Sequence, residues 1–248
     1  MDWKTYQGVL FDLDGVLTPT ADVHMLAWSE MFNDYLAGLR TAAGAVDAEH
    51  GPLRQYTDAD YFEYVDGRPR YDGVRAFLTS RGIDLPQGDP SDDPSAETVC
   101  GLGNRKNDAF NSVLQRDGVQ PYPGSVALLD ALESAGMKMG VVSSSANARP
   151  VLAAAGLIDR FEHVVDGLVA RAEGLPGKPA PDTYLHGAKL IGVPVSAAVV
   201  VEDATSGVAA GRAGDFGLVI GVDRGVGPDA LTEAGADLVV SDLAEVVP

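Results

Sequence analysis

Short apolar runs alternate with amphipathic segments along most of the chain, and these runs have the length and composition of buried strands. They span residues 9–11, 138–142, 164–165, 197–201, 218–222 and 238–240. Between the later runs, apolar residues recur every three to four positions, which predicts helices. Apolar strands that alternate with helices predict an α/β fold, in which helices cover both faces of a parallel sheet.

The stretch from residue 20 to residue 119 has a different pattern, without such apolar runs. Helical spacing predicts helices over about 20–40, 58–65 and 71–81, and a further helix that opens at 103–108. Gly, Pro and Asp crowd into residues 82–95, which predicts a loop. We therefore expect an α/β core formed by residues 1–19 and 120–248, with an inserted helical domain formed by residues 20–119.

The charge balance limits the possible partners. The 248 residues include 18 basic and 36 acidic side chains, a formal net charge of −18, which argues against binding to nucleic acid or to an anionic membrane surface. Cys100 is the only cysteine, so no intrachain disulfide can form. The first eight residues lack the pattern of a secretory signal, and we find no apolar stretch of membrane-spanning length. We expect a cytoplasmic monomer that acts on a small molecule.

Two carboxylates follow the first apolar run. Asp12 and Asp14 are two residues apart, so in an extended chain their side chains share one face. Gly15 then allows a sharp bend. With no Lys or Arg beside them, the two acids repel each other unless a cation lies between them, and oxygen ligands suit a hard ion such as Mg²⁺. Taken alone, the pair could instead be an acidic turn at the end of a strand, without a metal ion.

Polar residues also follow two later strands. Three serines occupy 143–145, Glu202 and Asp203 follow the run at 197–201, and Lys178 lies in a loop between them. Taken singly, the serines could cap a helix and the acidic pair could form a surface turn. Ligands of open α/β sheets bind at the carboxyl ends of the strands, so we expect these groups to converge. Carboxylates for a metal, hydroxyls for phosphate oxygens and one ammonium suit phosphoryl transfer.

The inserted domain carries candidate anion-binding residues. Five arginines lie between Arg54 and Arg81, which marks either an anion-binding surface or a solvated pair of helices. Arg105 and Lys106 are expected in the first turn of the last helix, where basic residues oppose the helix dipole and so indicate a ligand. His24 lies close after the acidic pair, on one helix face with Trp28, a spacing that is also common in a core.

Four segments, residues 11–18, 141–143, 178–182 and 201–207, occur in an order that resembles the haloacid dehalogenase superfamily of phosphotransferases. The insertion is similar to the helical cap of the β-phosphoglucomutase-like subfamily, with residues 67–70 and 105–108 resembling its substrate-contacting segments. The resemblance covers nearly the whole chain. It implies a Rossmann-like parallel-sheet core with an inserted, mobile α-helical cap, and a cis peptide bond between Lys178 and Pro179.

The resemblance also implies a role for each matching residue. Asp12 would be the nucleophile that becomes an aspartyl phosphate, and Asp14 the general acid and base. Phosphate would be bound by Ser143, Ser144 and Lys178. A magnesium ion would be bound by Asp12, Asp14, Glu202 and Asp203, with the backbone carbonyl of Asp14 taking part. A small sugar phosphate would contact His24, Arg70, Lys106, Ser145 and Asn147.

Two features depart from the subfamily. Ala146 stands where a phosphate-binding Lys often follows the second serine, and Arg68 is one possible replacement for the missing charge. The loop at 87–95 is also longer and more acidic than in the short members. Three functions are open: a β-phosphoglucomutase, a phosphatase of small sugar phosphates with the same site, and a non-catalytic phosphate-binding module, which the filled catalytic positions disfavour.

Overall fold

The computed structural model of the chain describes residues 2–44 and 49–248. The chain forms two compact units that do not correspond to two continuous segments. The first unit comprises Met1–Thr20, Gly67–Pro69 and Gly118–Pro248, and the second comprises Ala21–Asp66 and Arg70–Asp117. Three residues in the middle of the insertion therefore belong with the sheet-containing unit.

Six parallel strands form one sheet in the first unit, in the order β3-β2-β1-β4-β5-β6. The strands are β1 (Gly8–Phe11), β2 (Lys138–Val142), β3 (His163–Val165), β4 (Ala198–Glu202), β5 (Leu218–Val222) and β6 (Leu238–Val240). Strand β1 lies in the centre, where Phe11 is in register with Val141 and Val201, and all its residues are buried. This sheet confirms the predicted α/β fold class.

Ten α-helices accompany the strands in the part of the chain that the structure describes. They are α1 (Thr20–Ala43), α2 (Asp58–Tyr64), α3 (Arg70–Ser80), α4 (Val99–Asp117), α5 (Pro123–Ser134), α6 (Ala148–Ala154), α7 (Gly167–Ala172), α8 (Asp182–Leu190), α9 (Thr205–Ala213) and α10 (Pro228–Ala234). Helices α8 and α9 supply Tyr184 and Val208 to a core that also contains Leu10 and Val200 of the sheet. Within the described ranges, none of these helices has both the length and the apolar character of a membrane span.

The second unit is helical, and its core is aromatic. The ring of Phe32 lies 4.2 Å from that of Phe77, 5.0 Å from that of Tyr56 and 5.4 Å from that of Trp28, measured between ring centroids. All four side chains are buried. Such pairs add to the stabilisation that comes from burying apolar area, so the unit has a hydrophobic core of its own.

The start of α4 differs from the prediction. The helix begins at Val99 rather than near residue 103, so Arg105 and Lys106 lie in its second turn and do not oppose the dipole at its first. The glycines at 101 and 103 resemble helix breakers in the sequence, but tight packing requires both of them. A Cβ at Gly101 would lie 2.3 Å from the Ala96 carbonyl oxygen, and one at Gly103 would lie 2.8 Å from the Tyr71 ring.

An internal ion network accounts for two arginines of the 54–81 cluster. Asp60, buried in the second unit, accepts hydrogen bonds from Arg54 at 2.8 and 2.9 Å, from Arg81 at 2.9 Å and from the Thr57 N–H at 2.9 Å. Burial raises the pKa of Asp60, but the bonds from Arg54 and Thr57 and the charge of Arg81 outweigh it and hold that pKa below its usual value. Arg54 and Arg81 therefore stabilise the fold through Asp60. The predicted anion-binding surface does not extend across the whole cluster.

Candidate active site

Lys178 is the centre of a buried group of charges in the first unit. Its Nζ donates hydrogen bonds to Asp12 Oδ1 at 2.6 Å, to Glu202 Oε1 at 2.5 Å and to the Val142 carbonyl at 3.1 Å. These partners come from the carboxyl ends of β1, β4 and β2, the three central strands of the sheet. The convergence predicted from the apolar runs therefore occurs. The Lys178–Pro179 bond is cis, as expected.

Glu202 has a hydrogen-bond partner for each of its lone pairs. Its Oε1 accepts from Lys178 and from the Tyr184 hydroxyl at 3.0 Å, and its Oε2 accepts from the backbone N–H groups of Asp203 and Ala204 at 3.0 and 3.1 Å. The side chain is thus an anchor for Lys178 and for the turn after β4. We did not predict Tyr184 from the sequence, where its place near the start of the helix after Lys178 was the only signal.

Two glycines leave space for the carboxylates. A Cβ at Gly207 would lie 1.7 Å from Glu202 Oε1, and a Cβ at Gly15 would lie 1.8 Å from Asp203 Oδ2. Gly15 also has a φ of +78°, a left-handed conformation that favours glycine. Any larger residue at either position would push an acidic side chain out of the group.

Asp12, Glu202 and Asp203 form a possible metal site, because one carboxylate oxygen from each lies within 4.8 Å of the others. A donor set made only of oxygen atoms fits Mg²⁺. Since Glu202 already accepts four hydrogen bonds, Asp12 and Asp203 are the better candidates for direct ligands.

Burial raises the pKa of the Asp12 carboxyl well above its usual value. The ammonium of Lys178 opposes this shift, and the charges of Glu202 and Asp14 add to it. For Lys178, burial acts to lower the pKa, but Asp12 and Glu202 outweigh it, so the pKa lies above its usual value and the side chain stays protonated. The carboxylates thus outnumber the single ammonium, and a divalent cation would offset the excess negative charge.

Asp14 is held by the start of α1. The Thr20 hydroxyl donates to Asp14 Oδ1 and also lies 2.9 Å from the Thr18 hydroxyl. Thr20 is the first residue of the helix, and its hydroxyl orients Asp14. One carboxylate oxygen of Asp14 is therefore fixed by a hydroxyl that the sequence did not identify as functional.

The three serines after β2 differ in how they use their hydroxyls. Ser143 Oγ accepts from the Ser145 N–H, and Ser145 Oγ accepts from the Asn147 N–H, both at 3.1 Å. Ser144 Oγ instead donates to the Gly67 carbonyl at 2.9 Å. The structure therefore gives the hydroxyl hydrogen of Ser144 a backbone partner, whereas the sequence predicted that Ser144 binds phosphate. The hydroxyl hydrogens of Ser143 and Ser145 are not used in these two bonds.

In the second unit, two predicted substrate residues contact each other. Lys106 is buried, its Nζ contacts His24 Nδ1, and it lies 5.0 Å from the ring centroids of both Trp28 and Phe110. An ammonium has no lone pair, so Nδ1 must be the acceptor and the hydrogen of the neutral imidazole lies on Nε2. His24 is thereby prepared to donate a hydrogen bond through Nε2.

Arg70, the third predicted residue of this unit, is held by two asparagines. Its Nη2 donates to Asn107 Oδ1 at 2.7 Å, and its Nη1 lies 3.5 Å from Asn104 Oδ1. Neither asparagine was singled out as a site residue, although Asn107 lies in the segment 105–108 that resembles a substrate-contacting one. For Asn104, its position directly before Arg105 was the only indication in the sequence.

The chain is similar in sequence and in fold to several known proteins. A sequence profile of haloacid dehalogenase-like hydrolases matches residues 6–215. Over 242 residues, the chain is 52% identical to proteins named β-phosphoglucomutase from Mycobacterium bovis and Mycobacterium tuberculosis, which covers 96% of this chain and 90% of each relative. It is 32% identical over 221 residues to the fructose-1-phosphate phosphatase of Escherichia coli, covering 88% of this chain and 97% of that protein. The crystal structure of a β-phosphoglucomutase from Clostridium difficile has the same fold, with a TM-score of 0.70 at 23% identity, covering 97% of this chain and 93% of that one.

Proposed function

Because the chain belongs to the haloacid dehalogenase-like hydrolase family, we propose that it is a β-phosphoglucomutase. The reaction converts β-glucose 1-phosphate into glucose 6-phosphate through glucose 1,6-bisphosphate. The observation that carries the proposal is the 52% identity, over nearly the whole chain, to two proteins of that name. The geometry that supports phosphoryl transfer is the contact of Lys178 with Asp12 and Glu202.

In this reaction Asp12 is the nucleophile. One of its oxygens is held by Lys178 at 2.6 Å, so the carboxylate has a fixed orientation. An Asp12 oxygen forms a bond to phosphorus while the bond from phosphorus to the sugar oxygen breaks, which gives an aspartyl phosphate. Lys178 keeps its positive charge and offsets the charge that accumulates on the phosphoryl oxygens. The hydroxyls of Ser143 and Ser145 offer further donors to those oxygens.

Asp14 is the general acid and base. It gives a proton to the sugar oxygen that leaves, and takes one from the hydroxyl that attacks the aspartyl phosphate in the return step. The hydrogen bond from the Thr20 hydroxyl to Asp14 Oδ1 orients this carboxyl group for proton transfer.

The proposed cofactor is Mg²⁺, which Asp12, Asp203 and the backbone carbonyl of Asp14 would hold. When bound, the ion offsets the negative charge of the carboxylates and of the phosphoryl group. Glu202 takes part indirectly, because its four hydrogen bonds fix Lys178 and the backbone of Asp203.

The sugar phosphate is proposed to contact the remaining predicted residues, which are His24, Arg70, Lys106, Ser145 and Asn147. A mutase must retain a bisphosphate while it turns over, so it needs cationic and hydrogen-bonding groups for the second phosphate. Arg70 supplies a guanidinium that two asparagines hold, and His24 supplies an N–H donor that Lys106 fixes. The monomeric state and the cytoplasmic location stay predictions.

A phosphatase of small sugar phosphates is the second candidate. The similarity to the Escherichia coli fructose-1-phosphate phosphatase, at 32% identity, favours it. The two reactions share the aspartyl phosphate and differ in whether a sugar hydroxyl or water accepts the phosphoryl group. The residues around Asp12 serve either reaction equally well.

One assay separates the two reactions. The protein is incubated with β-glucose 1-phosphate, Mg²⁺ and a trace of glucose 1,6-bisphosphate, and glucose 6-phosphate and free phosphate are measured together. A mutase gives glucose 6-phosphate much faster than free phosphate. If free phosphate dominates with every hexose phosphate tested, the phosphatase is correct. No turnover, even of an aryl phosphate, would leave only a phosphate-binding module.

A further inference from the structure

The acidic loop at residues 87–95 is hydrogen-bonded to the first half of α4, within the second unit. Asn104 Nδ2 donates to the carbonyls of Pro90 and Asp92 at 3.1 and 2.9 Å, and Arg105 Nε donates to the Pro94 carbonyl at 2.9 Å. Thr98 Oγ1 donates to the Asp92 carboxylate at 2.6 Å. The loop therefore has a fixed place against the helix.

The amide of Asn104 connects this loop to Arg70. Its Oδ1 accepts from the Tyr71 hydroxyl at 2.9 Å and lies 3.5 Å from Arg70 Nη1, while its Nδ2 faces the two loop carbonyls. A guanidinium can only donate and a carbonyl can only accept, so the amide has one orientation that satisfies both sides. In the reversed orientation, the amide nitrogen would face the Arg70 guanidinium, donor against donor, and the amide oxygen would face the two loop carbonyls, acceptor against acceptor.

Close packing supports the same arrangement. A Cβ at Gly103 would lie 2.8 Å from the Tyr71 ring and 3.1 Å from Arg70 Cδ, so only glycine lets the start of α3 approach α4 this closely. One turn further along α4, Asn107 Oδ1 accepts from Arg70 Nη2 at 2.7 Å. The guanidinium of Arg70 is thus oriented by side chains from a single face of α4.

We propose that Asn104 is a positioning residue for substrate selection, which links the loop at 87–95 to Arg70 and so fixes the guanidinium that recognises the sugar phosphate. The proposal deepens the proposed function and rests on it, because Arg70 is there assigned to the sugar phosphate. It also gives a role to a loop that the sequence left without one. Asn104 does not take part in the transfer of the phosphoryl group itself.

The test compares a sugar phosphate with an aryl phosphate, which needs only the residues around Asp12. For Asn104→Ala, we expect kcat/KM for β-glucose 1-phosphate to fall about tenfold or more, mainly through KM, as on losing a hydrogen bond to a charged group. Hydrolysis of the aryl phosphate should stay within about twofold of wild type, the scatter expected for a site that was not perturbed. The matched control is Ser91→Ala in the same loop, since the Ser91 hydroxyl bonds Asp89; it should behave as wild type with both substrates.

A double-mutant cycle separates positioning from a general loss of structure. If Asn104 acts through Arg70, then Asn104→Ala should cause no further loss of sugar-phosphate activity in an Arg70→Ala background. A further loss there, an equal loss with both substrates, or no loss at all in Asn104→Ala would overturn the proposal.

The variant Asn104→Asp tests the loop contacts separately. It keeps an acceptor for Tyr71 and Arg70, but sets a carboxylate oxygen against the carbonyls of Pro90 and Asp92. We expect a fall in sugar-phosphate activity like that of Asn104→Ala, and wild-type behaviour would overturn the link to the loop. If wild type turns over no sugar phosphate, the proposed function fails and Asn104's role with it. If wild type isomerises the substrate and Asn104→Ala does so equally fast, the proposed function stands and only the role of Asn104 fails.

Discussion

Replacing Lys178 by Met should destabilise the first unit in a way that depends strongly on pH. Met keeps most of the hydrocarbon stem but removes the ammonium that contacts both Asp12 and Glu202. Removing one partner of a buried ion pair typically costs about 3–5 kcal/mol, because the remaining charge is buried without compensation. Here two carboxylates would remain, because Asp12 Oδ1 and Glu202 Oε1 each accept a hydrogen bond from this Nζ in wild type.

Protonation sets a limit on this cost. An ordinary Asp has a pKa of about 3.9, so taking up one proton near pH 7 costs roughly 3.1 pKa units, or about 4.2 kcal/mol. Near pH 5 the same proton costs about 1.5 kcal/mol. The folded variant binds this proton and the unfolded chain does not, because the pKa of the folded carboxyl is raised. Stability lost at neutral pH is therefore regained as the pH falls.

The measurement uses the two tryptophans, of which Trp3 lies in the first unit and Trp28 in the second. In a Trp28→Phe background, the fluorescence of Trp3 follows urea unfolding of the first unit alone. We expect Lys178→Met to lower the free energy of unfolding by about 4 kcal/mol near pH 7 and by about 1.5 kcal/mol near pH 5. The control is Lys189→Met, since Lys189 is exposed on α8 and its loss should change stability by less than about 0.5 kcal/mol. A loss of equal size at both pH values would refute the reasoning.

Three further outcomes are expected. Asp12→Asn should abolish turnover while the circular dichroism spectrum stays that of wild type, and appreciable residual activity would contradict the role of nucleophile. Mg²⁺ should raise the midpoint of thermal unfolding of wild type, because it binds the folded state, and should do so much less in Asp203→Asn; equal shifts would argue against Asp203 as a ligand. Asp60→Asn should lower the free energy of unfolding of the second unit by about 3 kcal/mol near pH 7. Because the pKa of Asp60 is lower in the folded state, this stabilisation is present above the unfolded-state pKa and is lost as the pH falls through the folded-state pKa. The free energies of unfolding of wild type and variant should therefore become equal in acid. Trp28 fluorescence in a Trp3→Phe background measures them.

The sheet and the central charges were predictable because they depend on rules of topology. Apolar runs marked the strands, and parallel strands bring their carboxyl ends to one edge, so Asp12, Glu202 and Asp203 had to lie near each other. Lys178 followed from the resemblance of its motif.

Residues that act by packing could not be predicted in this way. Tyr184 reaches Glu202 only because α8 lies against the sheet, and Gly207 matters only because a carboxylate fills the space beside it. The arginines of the 54–81 cluster looked alike in the sequence, but the contact of Arg81 with Asp60 joins positions 21 residues apart. Such pairings depend on the completed tertiary structure and produce no periodic pattern in the sequence.

The three residues Gly67–Pro69 limit how the helical unit can be exchanged between related proteins by recombination. They are flanked on both sides by the helical unit, yet they belong to the sheet-containing one, where Gly67 accepts a hydrogen bond from Ser144 and its Cα leaves space for the Ser206 hydroxyl. The helical unit is consequently not a cassette with one entry and one exit, because the chain passes between the units four times. A recombination that exchanged the insertion in a single block would also replace a part of the recipient's own framework. Successful chimaeras should therefore be those whose donor carries a glycine at position 67, and libraries that cross over on either side of residues 67–69 should yield more folded members than those that ignore it.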